Sequence, residues 1–161
     1  DFNRVNAIEE DHAGSIWLGT DAGLLKWDWT EWSYQGLINI LGTNEVWSLH
    51  LDSSNRLWIG TSGGIMAAYS KNNNITLVET LNGGIGSYIR DIYSDSQDNT
   101  WFATWFDGVI RHNGIYSEIF RENNGFPEDY VEAVCPDKDG NIWFGTSSEG
   151  LVKYTLPLKT N

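Results

Sequence analysis

The chain has 161 residues, with 22 Asp and Glu against 10 Lys and Arg and a net charge of −12. That is the size of one ordinary domain or a short array of small units, and its charge opposes binding to nucleic acid or an anionic membrane surface. No run nears the ~20 apolar residues of a membrane-spanning helix, so insertion of this segment is excluded as well.

The first apolar run is VNAIEED, Val5 to Asp11, followed three residues on by Gly14, a residue that tolerates a left-handed turn. A second run, SIWLGT, ends at Thr20; after a polar loop comes LLKW, Leu24 to Trp27, and then a less regular stretch, YQGLINI, from Tyr34. The pattern then restarts with VWSLHLD at Val46, a turn at Asn55, RLWIGT ending at Thr61, MAAY from Met66 and ITLVETL from Ile75. A third round gives IRDIYSD from Ile89, a turn at Asp98, NTWFAT ending at Thr104, VIRH from Val109 and IYSEIF from Ile115. The fourth gives VEAVCPD from Val131, a turn at Gly140, NIWFGT ending at Thr146, and LVKY from Leu151.

Trp17, Trp58, Trp101 and Trp143 are spaced by 41, 43 and 42 residues, and each follows a β-branched residue (Val5, Val46, Ile89 or Val131) by twelve. Nine tryptophans and 17 glycines beside three prolines suit aromatic-filled strands and tight turns. Val5 and Ile8 lie an odd number of steps apart, and SIWLG holds three successive apolar residues, so strict alternation places apolar side chains on both faces of each sheet. The expected fold is all-β: four antiparallel β-propeller blades at roughly 1–41, 42–84, 85–126 and 127–161, with three or four strands each. Only seven residues follow Tyr154 and four precede Val5, so the last blade is expected to lack its outer strand.

These units resemble the two-component regulator propeller repeat, which runs approximately V-x-x-I-x-x-D-x-x-G-x-L-W-I-G-T-x-x-G-G-L-x-x-Y. VEAVCPDKDGNIWFGTSSEGLVKY, Val131 to Tyr154, matches it nearly throughout; Ala103, Thr100 and His112 depart from it in the third unit. The resemblance implies a bacterial sensor domain that is periplasmic or extracellular, non-catalytic, and often tuned to glycans. The N-terminus given shows no signal-peptide pattern. Two other readings are a structural or protein-interaction propeller and, below it, a propeller lyase. An open array would leave two apolar blade faces uncovered, so further blades, or a second copy closing an eight-bladed ring, are expected to cover them.

The loops between second and third strands, together with the residues leading into each blade, should form the ligand face. Positions equal in all copies serve the repeat: Trp17, Trp58, Trp101, Trp143, and Thr20, Thr61, Thr104, Thr146. On this reading Trp143 is one of four equivalent buried wedges. Positions that differ between copies are free for a ligand. These are Trp105, Phe106 and Asp107 in the third loop, Glu149 in the fourth, Tyr88 and Tyr130 at blade starts, and Arg90, whose planar fork suits a carboxylate, either of a ligand or of Asp91 or Glu132 within the fold. An oligosaccharide is the expected ligand. No catalytic residue, metal or cofactor is assigned: His12, His50 and His112 fall at unrelated places in the unit, and DKDGN at Asp137 lacks the twelfth-position glutamate of a calcium loop. Cys135, the single cysteine, has no partner for an internal disulfide. NIT at Asn74 is a formal glycosylation acceptor.

Overall fold

A computed structural model describes residues 4–35, 43, 45–71, 74–80 and 88–156. Among them are fifteen strands in four antiparallel sheets, each a meander in sequence order. The first blade comprises β1 (Val5–Glu10), β2 (Ile16–Thr20), β3 (Gly23–Trp27) and β4 (Trp32–Gln35). The second comprises β5 (Val46–Leu51), β6 (Leu57–Thr61), β7 (Gly64–Lys71) and β8 (Asn74–Thr80). The third comprises β9 (Tyr88–Ser94), β10 (Thr100–Trp105), β11 (Val109–His112) and β12 (Ser117–Phe120), and the fourth β13 (Val131–Pro136), β14 (Ile142–Thr146) and β15 (Leu151–Tyr154). Strands β1, β5, β9 and β13 pack in succession at the inner edge, and the outer strands fan away from them. The outer strand of the first blade begins at Trp32, earlier than the stretch from Tyr34 suggests; the remainder of that stretch lies outside the described residues.

The turns are built as their residue types require. Gly14, Asn55, Asp98 and Gly140 have φ of 84°, 62°, 63° and 82°, the left-handed region that glycine, asparagine and aspartate enter at least cost. Preceding each is the repeated aspartate, whose role is wider than its place in a turn suggests. Asp52 Oδ1 accepts the Ser54 and Arg56 amides at 2.9 Å each, while Oδ2 accepts the Trp58 indole N–H at 2.9 Å. Asp11, Asp95 and Asp137 hold Trp17, Trp101 and Trp143 in the same way, at 3.0, 2.7 and 2.9 Å. One carboxylate thus ties the turn to the ring and fixes the rotamer of the tryptophan.

Strict alternation does not explain the packing of the inner strands. In each blade's pairing of inner and second strands the register shifts one residue past the β-branched position, a β-bulge. The extra residue brings Val46 and Leu49 onto one face, toward Trp17 and Leu24 of the preceding blade. Ile89 and Ile92 meet Trp58 in the same way, and Val131 and Val134 meet Trp101. Both faces of the internal sheets are covered, but the bulge is the cause.

The close approach of blades also explains the glycine after the tryptophan. A Cβ at Gly60 would stand 2.2 Å from Ser48 Oγ and 2.7 Å from Ile89 Cγ2; at Gly145 the nearest atom is Ala133 Cβ at 3.8 Å. Gly60→Ala is therefore expected to destabilise by about 1–3 kcal/mol through overpacking. Gly145→Ala should stay within about 0.5 kcal/mol, as at a site with room. Urea unfolding of both variants checks this, and equal losses would remove the packing explanation.

The four tryptophans are not equivalent. Trp17, Trp58 and Trp101 are fully buried, each against the following blade, whereas Trp143 is partly exposed. The expectation of four equal wedges is therefore corrected to three among the described residues.

Candidate functional site

The site is built at the end of the sheets where second strands turn into third strands. Thr104 Oγ1 donates to the Gly108 carbonyl at 2.9 Å and accepts the Asp107 amide at 3.0 Å, closing the third-blade loop. Thr20 and Thr61 close their loops in the same way, onto Gly23 and Gly64. The third loop is tied to the fourth blade as well: the Phe106 and Gly108 amides donate to the Asp129 carbonyl at 3.1 and 3.0 Å, and Trp105 bridges Tyr130. These bonds hold Phe106 at a φ of 92°, a conformation rare for an aromatic residue, which persists because the surroundings impose it.

Three exposed aromatic side chains result. Phe106, 52% exposed, lies 5.1 Å from Tyr130 edge-on and 6.3 Å from Tyr88, measured between ring centroids, so the three form a continuous aromatic ledge. Trp105 sits beside it with less open surface: Arg90 lies over its ring at 4.6 Å, and its Nε1 donates to Glu132 at 2.8 Å. Arg90 also lies over Trp47 at 4.9 Å, and its Nε donates to Glu132 Oε2 at 3.1 Å. Indole faces attract the guanidinium, and the carboxylate fixes its rotation. At the first blade, Arg4 lies over Trp47 at 4.9 Å and pairs with Glu45 at 3.3 Å.

The structure thus gathers Tyr88, Arg90, Trp105, Phe106 and Tyr130 into one cluster. It does not bring Asp107 or Glu149 into it. Asp107 is engaged by Arg121, and Glu149 stands in the fourth-blade loop, where its amide and that of Ser148 donate to Glu128 at 3.1 and 2.8 Å. Trp47 and Glu132 belong to the cluster although the sequence reading did not select them as ligand residues; both follow the β-branched position, the same signal that marked Arg90, and Glu132 is the partner within the fold that the sequence offered for Arg90. Burial pushes the Glu132 carboxyl up, but hydrogen bonds from Trp105, Ser147 and Arg90 outweigh it and hold the group below its ordinary value. Glu132 is therefore a fixed anion that positions Trp105 and Arg90. The histidines are dispersed: His50 Nε2 accepts the Ser94 amide of the next blade at 3.0 Å, and His112 is buried edge-on against Trp58. Asp137 is directed into its own turn, with Oδ1 accepting the Asp139 and Asn141 amides.

Four regular antiparallel sheets in sequence order, with loop-face residues that differ from copy to copy, define a β-propeller repeat protein. The sequence profile of the two component regulator propeller matches residues 1–22, 40–63, 83–106 and 125–148, more than half of the chain. The chain belongs to that family. Among solved structures it is similar to the extracellular domain of a protein assigned as a hybrid two component system from B. thetaiotaomicron, at 29% identity and a TM-score of 0.76 over 93% of this chain. A second such extracellular domain from B. thetaiotaomicron matches at 21% identity and a TM-score of 0.75 over 95% of this chain. The chain spans about a quarter of those domains, 23% of each. Virginiamycin B lyase from Staphylococcus aureus shares the fold at 15% identity and a TM-score of 0.66, over 94% of this chain and 55% of the lyase chain. No curated protein matches the chain.

Proposed function

We propose that this chain is part of a non-catalytic, extracytoplasmic sensor propeller that binds a carbohydrate on the Tyr88, Phe106 and Tyr130 ledge. The observation that carries this reading is the ledge itself: rings exposed side by side, held from beneath by backbone bonds, on residues the repeat does not need. The C–H faces of a sugar ring stack on such surfaces. Arg90 sits immediately behind, one quarter exposed in its side chain, with its Nε fixed on Glu132 and its outer nitrogens directed by that pairing. A non-catalytic role agrees with the state of Glu132, an anion already serving three donors. The extracytoplasmic placement rests on the family and on the extracellular domains it resembles.

Isothermal calorimetry against a panel of neutral and acidic oligosaccharides tests the proposal. A ligand should be found whose affinity falls roughly tenfold, about 1.4 kcal/mol, on Phe106→Ala, with circular dichroism unchanged. Silence across the panel, or a ligand indifferent to both Phe106→Ala and Tyr130→Ala, would overturn it.

A further inference from the structure

Arg90 is held in place by its neighbours and still has donors to give. Its guanidinium lies over the Trp105 ring at 4.6 Å and over the Trp47 ring at 4.9 Å, so indoles meet its flat surface. Its Nε donates to Glu132 Oε2 at 3.1 Å. A guanidinium carries five N–H donors in a fixed fork, and this pairing uses one of them. Among the described residues no acceptor meets either Nη nitrogen, although a quarter of the side chain is exposed. The carboxylates closest in sequence and fold are already spent. Glu132 Oε1 accepts Trp105 Nε1 at 2.8 Å and Ser147 Oγ at 3.0 Å, and Asp91 accepts the Ile92 and Val134 amides at 2.9 Å each.

The open edge of this guanidinium adjoins the aromatic ledge, and Tyr88 joins the two. The Tyr88 ring centroid is 6.2 Å from those of Trp47 and Trp105, which carry the guanidinium, and 6.3 Å from that of Phe106. A second guanidinium, that of Arg4, lies over Trp47 at 4.9 Å, with its side chain 53% exposed and its Nη2 on Glu45. Two of the ten Lys and Arg side chains of the chain thus meet on one indole at the loop face. An arginine whose rotation is already fixed has little freedom left to lose when a planar carboxylate docks on its remaining edge. We infer that the sugar bound at the ledge is an acidic one, a hexuronate whose ring stacks on Tyr88 and Phe106 while its carboxylate takes the two Nη nitrogens of Arg90. This rests on the carbohydrate reading of the ledge and adds the charge of the ligand. The net charge of −12 restricts the class further: a single uronate among neutral sugars suits the site, and a polyanion does not.

Calorimetry on the unaltered 161-residue chain tests this with galacturonate- and glucuronate-terminated disaccharides, each beside its methyl ester. The ester keeps the ring and its hydroxyls and removes the charge. At least one acid should bind about tenfold tighter than its ester, the scale of one charge-assisted bidentate pair. Arg90→Gln should erase that difference while leaving the affinity for the ester nearly unchanged, and Arg90→Lys, which keeps the charge without the fork, should restore only part of it. Phe106→Ala should weaken acid and ester alike. Equal binding of every acid and its ester, or a preference that survives Arg90→Gln, would overturn the acidic assignment and leave the ledge as a site for neutral sugars. Silence for acids, esters and neutral oligosaccharides together would remove both the assignment and the ledge as a sugar site.

Discussion

Trp101→Ala is expected to lower the free energy of unfolding by about 3–5 kcal/mol, the range for truncating a fully buried large aromatic. Trp143→Ala, at the equivalent position of the next blade, should cost less than half of that. Trp101 is fully buried and lies within 5.1–6.0 Å of the rings of Tyr154, Phe144 and Phe120, so its loss opens a void between two sheets. Trp143 keeps its bond to Asp137 and the Lys153 ammonium over its ring at 5.3 Å, but solvent reaches its outer face. Denaturant unfolding followed by circular dichroism decides between them. Equal losses in the two variants would contradict the three-wedge packing.

Asp52→Ala should destabilise by about 3 kcal/mol or more. The carboxylate accepts the Trp58 indole, the Arg56 Nε at 2.6 Å and two turn amides; the amides and Arg56 can turn to water, but the indole N–H of a fully buried ring cannot. A buried donor left without an acceptor costs about 1–3 kcal/mol, and the turn loses its tie in the same step. Asp52→Asn, which retains one acceptor oxygen, should recover part of the loss; no recovery would argue against the hydrogen-bonding role.

The same hubs set the acid limb of stability. Burial pushes Asp11 and Asp52 up, but their hydrogen bonds and the neighbouring cations outweigh it and leave both below the ordinary aspartate value. The Asn141 and Trp143 side chains hold Asp137 far below it. Groups depressed in the folded state contribute stability that is complete above the unfolded value near ~3.9 and is lost as pH falls through the folded values. Glu9 and Asp91, raised by burial, act in the opposite sense: their contribution is fullest in acid and is lost as pH rises through their folded values. Thermal unfolding across this range should therefore show a steep loss below about pH 4, and Asp52→Ala should make it shallower.

Much of the molecule was legible from one strand of reasoning. The recurrence of Trp17, Trp58, Trp101 and Trp143 fixed the period, and Gly14, Asn55, Asp98 and Gly140 marked turns that do adopt left-handed backbone. Comparison between copies also found five members of the loop-face cluster. It offered Glu132 as one partner for Arg90, a pairing that the structure contains, but gave no sign that Asp107 is taken by Arg121 or that Trp47 lies under Arg90, because those contacts depend on how the chain folds back on itself. The bulge was hidden as well: Val46 and Leu49 read as opposite faces until the extra residue in the inner strand is placed.

The sequence by itself determined the repeat, the turns and the all-β architecture, since these depend on residue types at short, fixed separations. The tertiary structure decided which of the four tryptophans are buried wedges, which glycine has no room for a methyl group and which aromatic rings remain exposed. Those properties depend on what stands about one blade away, and identical residues in NIWFGT and RLWIGT differ only in whether a neighbouring sheet is there to cover them.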